Sequence, residues 1–148
     1  MIHFEDLPVG RILEFGSHVV SRDEMLDYAR QYDVQPFHLS DEEAAKTRFG
    51  RLAASGLLTA SIAMGVSTRY LVAHDFQGQG SPGLEDLAWL HPVYADDRLR
   101  IVAEVTEARI SQSKPGVGIV KLRTSASNQD GVEVMRFTGS VFVLRRRA

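Results

Sequence analysis

Apolar positions recur along this chain at two periods, close to three and four residues in its first half and at two residues in its second. The longer spacing marks one face of a helix, and alternation marks a strand buried on one side. Met25, Tyr28, Ala29 and Tyr32 hold the helical spacing within Arg22 to Tyr32, behind Ser21, with Glu24 placed to complete a capping box. The pattern predicts an amphipathic helix that ends before Pro36, because proline lacks an amide hydrogen and pushes Gln35 toward extended backbone. Ser40 followed by Asp41, Glu42 and Glu43 predicts a second, short helix through Ala44 and Ala45. From Leu57 to Val72 apolar residues cover nearly every angle around a helix, so this one should be surrounded by protein.

Beyond it the alternation begins. Leu99, Ile101, Ala103 and Val105 alternate with Arg98, Arg100, Glu104 and Thr106, and Val120, Leu122, Thr124 and Ala126 with Lys121, Arg123 and Ser125. Asp96-Asp97, Pro115-Gly116 and Asp130-Gly131 supply turns between such runs. With Leu84 to Val93 and Val132 to Leu144 they predict a four-stranded antiparallel meander, to which Ile12 to Val20 adds a fifth strand. One apolar helix and one sheet with an apolar face are buried together most economically when the sheet curves around the helix. The expected fold is therefore α+β, a single domain over residues 1–148, whose free sheet edge favours a homodimer or higher homo-oligomer.

Composition narrows the chemistry. The 148 residues carry no cysteine, which removes disulfides, thiolate nucleophiles and cysteine-ligated metals. A net charge of -2 gives no electrostatic case for nucleic acid, and the basic tail Arg145-Arg146-Arg147 reads as a solvated terminus. The beginning Met1-Ile2-His3-Phe4-Glu5-Asp6 lacks the form of a secretory signal, and Ser61, Gly65, Ser67, Thr68 and Arg69 interrupt the apolar stretch that would otherwise suggest a membrane span. A cytoplasmic protein without membrane attachment is the expectation. His3, His18, His74 and His91 have no spacing that places two on one helical face, so no metal is expected.

The candidate chemistry sits where the first helix breaks. Asp33-Val34-Gln35-Pro36-Phe37-His38 carries a carboxylate and an imidazole five residues apart, which on a continuous helix would point about 140° apart. A proline break lets them converge on one water, and such a pair suits proton transfer in both directions. Further on, Ser55-Gly56 opens the apolar helix. Free amides and the helix dipole there favour negative charge, and glycine admits close approach, so Gly56 is a candidate oxyanion site. A plainer role for both residues, Ser55 as helix cap and Gly56 as packing space, is compatible with the first.

The order Phe4-Glu-Asp-Leu-Pro-Val-Gly10, Asp33-Val-Gln-Pro-Phe-His38, Phe49-Gly50, Ala54-Ser55-Gly56 and Leu90-His-Pro-Val93 resembles the MaoC-like dehydratase family, which includes (R)-specific enoyl-CoA hydratases. The resemblance spans nearly the whole chain. It implies a hot-dog fold, a homodimer, and a hydratase or dehydratase of 2-enoyl or 3-hydroxyacyl thioesters. In it Asp33 and His38 would hold and add water, and Gly56 would receive the thioester oxygen. Gln35 and Ser55 support the site at positions where the family usually carries Asn, and His or Pro. No cofactor is implied beyond the CoA or phosphopantetheine of the substrate, which would enter near the dimer interface. A hot-dog thioesterase, or a non-catalytic acyl-thioester binder or structural subunit, are the alternatives.

Three further features receive plain readings. Gly78-Gln79-Gly80-Ser81-Pro82-Gly83 spells a dinucleotide fingerprint but follows a helix and leads into a strand, so it reads as a loop flanking an acyl pocket. Lys46, Arg48 and Arg51 read as solvated side chains within reach of a CoA phosphate. Trp89 and Phe137 read as core or interface residues, with lining of the acyl tunnel the alternative for Trp89.

Overall fold

The computed structural model describes residues 1–146. Strand β1 (Ile12–Val19) leads into helix α1 (Arg22–Tyr32), a single 3-10 turn at Pro36–His38, the short α2 (Asp41–Ala45) and the long α3 (Gly56–Ala73). Strands β2 (Gly83–Trp89), β3 (Arg98–Ile110), β4 (Val117–Ser127) and β5 (Glu133–Leu144) complete the chain. All five strands join one sheet in the order β1-β3-β4-β5-β2, every neighbouring pair antiparallel. This is the α+β hot-dog arrangement, a sheet curved around α3.

The local signals act as their chemistry requires. Ser21 accepts from the Glu24 amide while the Glu24 carboxylate accepts from the Ser21 amide, which closes the capping box of α1. Ser40 caps α2 through the Glu43 amide. Alternating residues of β3 and β4, among them Leu99, Ile101, Ala103, Val105 and Val120, are fully buried on the concave face. Register shifts interrupt all four strand pairs, and the shift between Glu14 and Gly16 coincides with a positive φ of 121° at Gly16. Such bulges increase local twist and bend the strand, which is what a sheet needs in order to wrap a helix.

Three expectations are corrected. The meander holds for β3, β4 and β5, but β2 pairs with β5 and lies at the edge, far from β3. The physical reason is that β3 already has β1 and β4 as neighbours, so the segment after β2 crosses over and pairs with the stretch before α3, the Ala54 amide donating to the Val93 carbonyl. Helix α3 is covered on one face only. Leu58, Thr59, Ile62, Ala63, Val66 and Ser67 are buried, whereas Leu57, Met64 and Val72 are exposed, Val72 to 80%. The Arg145-Arg146 segment is also tied down, because Arg145 and Arg146 pair with Glu5 and Asp6; Arg147 lies outside the described residues.

Candidate active site

Helix α1 ends at Asp33, whose amide still donates to the Ala29 carbonyl, so its position is set by the last helical turn. The chain then extends through Gln35 and tightens into the turn at Pro36, where the His38 amide donates to the Gln35 carbonyl. This break turns His38 back toward the helix end. Its Nε2 lies 3.4 Å from Asp33 Oδ2, close enough for charge attraction and too long for a strong direct hydrogen bond. The imidazole is 6% exposed, and its Nδ1 lies 2.8 Å from the Ala53 carbonyl oxygen. A carbonyl only accepts, so Nδ1 carries the hydrogen and Nε2 is left to exchange a proton with whatever sits beside Asp33.

Asp33 is held from two sides. Gln35 Nε2 donates to Oδ1 at 2.8 Å, and Ser55 Oγ donates to Oδ2 at 2.7 Å. Partial burial pushes the Asp33 carboxyl upward, but the hydrogen bonds from Gln35 and Ser55, with the His38 charge, outweigh it and keep the group below the ordinary aspartate value. Asp33 is therefore a carboxylate at neutral pH.

Both groups open onto a cavity of about 590 Å³ whose wall also includes Phe49, Ser55, Gly56, Thr59 and Trp89. Gly56 begins α3, where first-turn amides have no intrahelical acceptor, and its amide makes no hydrogen bond among the described residues. The five expected residues Asp33, Gln35, His38, Ser55 and Gly56 thus meet in one place. Ser55, however, does not cap the helix with its side chain. The glycine at 56 has a packing reason as well, since a methyl there would lie 2.3 Å from Trp89 Cε2 and 2.4 Å from Nε1. The indole covers the glycine on one side while remaining 51% exposed on the other.

A MaoC-like domain model matches residues 7–128. That span contains the whole of this site. The chain belongs to the MaoC-like domain family.

A crystal structure of the MaoC-like dehydratase from Rhodospirillum rubrum is 36% identical, with 100% of each chain covered and a TM-score of 0.89. The (R)-hydratase from A. caviae involved in PHA biosynthesis is 27% identical, with 95% of this chain and 99% of that one covered and a TM-score of 0.70. Among curated proteins, the uncharacterized protein YdeM of Bacillus subtilis is 28% identical over 97% of this chain and 98% of its own length.

Around the site of this MaoC-like chain, three features are not legible in the sequence. The Ala53 carbonyl orients His38, yet a backbone oxygen leaves no mark in the amino-acid pattern. Thr59, 2% exposed, adds a hydroxyl-bearing side chain to the cavity wall from inside an apolar helix. Trp89 covers Gly56 from the end of β2, a pairing visible only in three dimensions. Of the basic residues considered, Arg48 lines the cavity, Arg51 stacks on Tyr94 at 3.9 Å, and Lys46 pairs with Glu43 at 2.6 Å. The glycine-rich loop walls a second, apolar cavity of about 340 Å³ at the other end of α3, together with Leu71, Leu84 and Phe137.

Proposed function

We propose that this protein catalyses reversible hydration of a 2-enoyl thioester to the 3-hydroxyacyl thioester, as an (R)-specific enoyl-CoA hydratase-like hydro-lyase. The observation that carries the reading is one cavity lined by a carboxylate, a fixed imidazole and a helix-start glycine whose amide makes no hydrogen bond among the described residues. A water between Asp33 and His38 loses a proton to the pair as its oxygen bonds to the β-carbon. The electrons of the double bond move toward the thioester oxygen, where the Gly56 amide and the dipole of α3 favour the developing negative charge. The pair then returns a proton to the α-carbon, so that one water has been added and no group is left over. Because both groups occupy one wall, both parts of the water arrive on the same face, which is a syn addition. Proton transfer needs no resident cofactor in this scheme, since the CoA or pantetheine arm belongs to the substrate.

The membership in the MaoC-like family and the (R)-hydratase relative support the reaction class. The test follows the enoyl-thioester absorbance with a panel of 2-enoyl-CoAs and carrier-protein thioesters, while a thiol reagent monitors release of free CoA. Loss of absorbance without thiol release is expected. Thiol release on its own would identify a thioesterase, and binding with neither change would identify a non-catalytic acyl-thioester binder.

We also propose that the working form is a homodimer joined along β2. Among the described residues that strand pairs only with β5, Leu84 and Trp89 along it are 45% and 51% exposed, and Met64 and Val72 of the uncovered face of α3 line the same cavity as Leu84. An unpaired strand edge beside apolar side chains is an incomplete surface, and sheet continuation across a two-fold axis completes it. Light scattering should give twice the mass of the chain, and Leu84→Lys should shift the population to monomer, because it places a charge in the new interface. A wild-type monomer at micromolar concentration would overturn the proposal.

A further inference from the structure

Ser55 occupies the N-cap of α3, where a serine hydroxyl ordinarily accepts a hydrogen bond from a first-turn amide. Here it does not. Its Oγ donates instead to Asp33 Oδ2, a partner twenty-two residues earlier in the chain, and the residue is 1% exposed. The direction of this bond is fixed, because a carboxylate can only accept. Asp33 Oδ2 is also the oxygen that faces His38 Nε2.

The second donor to Asp33 is of a different kind. Gln35 is exposed and two residues away, so its side chain moves with the same loop and cannot anchor the carboxylate to anything else. Ser55 is held by the helix it begins, with its carbonyl accepting from the Thr59 amide. Two residues earlier, the Ala53 carbonyl fixes the imidazole. The segment Ala53 to Gly56 therefore touches all three working groups in turn, through a carbonyl on His38, a hydroxyl on Asp33 and an open amide at the cavity.

We propose that Ser55 is a positioning residue that locks Asp33 Oδ2 toward His38 from a fixed point at the start of α3. The inference rests on the hydration reading for its kinetic consequence, but its effect on Asp33 is measurable without any substrate. Loss of a hydrogen bond to the charged form of a carboxyl raises its pKa.

The experiment compares Ser55→Ala and Ser55→Thr with wild type. Carbon-13 NMR titration of the Asp33 carboxyl should move upward in Ser55→Ala and return toward wild type in Ser55→Thr, which restores the hydroxyl. On a 2-enoyl-CoA that wild type hydrates, kcat should fall about tenfold in Ser55→Ala with KM changed less than about threefold, the pattern of a misplaced catalytic group. The acid limb of the rate profile should move to higher pH, since activity needs ionised Asp33 and its pKa has risen. Threonine should recover most of both. If Ser55→Ala does not fold, Ser55→Cys takes its place, because a thiol fills the volume but donates weakly. An Asp33 titration and an acid limb unmoved in the folded variant would overturn the proposal. Wild type inert on every enoyl thioester would sink the hydration reading while leaving the Asp33 titration to decide the role of Ser55.

Discussion

Asp33→Asn and His38→Ala should each lower enoyl-thioester turnover by at least about a hundredfold, the scale on which general acid and base groups act. The two substitutions fail for different reasons. Asparagine keeps the shape of the carboxylate and one oxygen for Ser55, but it cannot take a proton from water at neutral pH. It should therefore leave substrate binding largely intact and appear in kcat. Alanine at 38 removes the group that faces Asp33 and strips the Ala53 carbonyl of its partner. An unpaired buried carbonyl costs about 1–3 kcal/mol, so His38→Ala should also unfold at lower denaturant concentration, and turnover must be compared at equal folded fraction.

The charge on Asp33 also links stability to pH. Its carboxyl sits below the ordinary aspartate value when folded, so ionisation stabilises the fold above the unfolded pKa near 4, and that gain is lost as the pH falls through the lower folded value. Asp33→Asn should remove this dependence, leaving the two proteins closest in stability at the acid end. Turnover unchanged in both variants would mean that the pair does not carry the reaction.

The second large effect is expected at Gly56. In Gly56→Ala the new methyl would meet the Trp89 ring at 2.3 Å, so the indole must swing outward, a movement its half-exposed position permits. Overpacking of this kind costs about 1–3 kcal/mol. Trp89 is the one tryptophan in the chain, so its fluorescence should shift to longer wavelength as the ring enters water. If substrate oxygen also approaches the Gly56 amide, the methyl obstructs it, and kcat/KM should fall about a hundredfold, the lower end of what an oxyanion donor contributes.

Packing and ligand approach separate in a double-mutant cycle with Trp89→Ala. Without the indole the methyl has space, so the stability cost of Gly56→Ala should shrink in that background. The activity cost should persist, because the obstruction at the amide does not depend on the ring. An activity cost that vanishes together with the stability cost would show that Gly56 serves Trp89 alone.

Much of this molecule is legible in the order of its residues, and the legible parts share a property. The capping box of Ser21 and Glu24, the end of α1 before Pro36, and the alternation of Leu99 to Val105 arise from interactions within a few residues, where periodicity and turn chemistry act directly. Asp33 and His38 belong to the same class, because a proline between them made convergence a local question.

Tertiary structure decided what distance along the chain conceals. The pairing of β2 with β5 depends on which strands already had neighbours, and the bare flank of α3 on how far one sheet can reach around it. Ser55 could have capped its own helix, as its position suggested. It bonds Asp33 because folding brings the end of α1 against the start of α3, where its O–H meets a charged acceptor, whereas the first turn of the helix presents only donors. The chain's own pattern thus specifies elements and reactive groups, whereas the choice of partner for each polar atom waits on packing, since a hydrogen bond depends on separation in space and not in sequence.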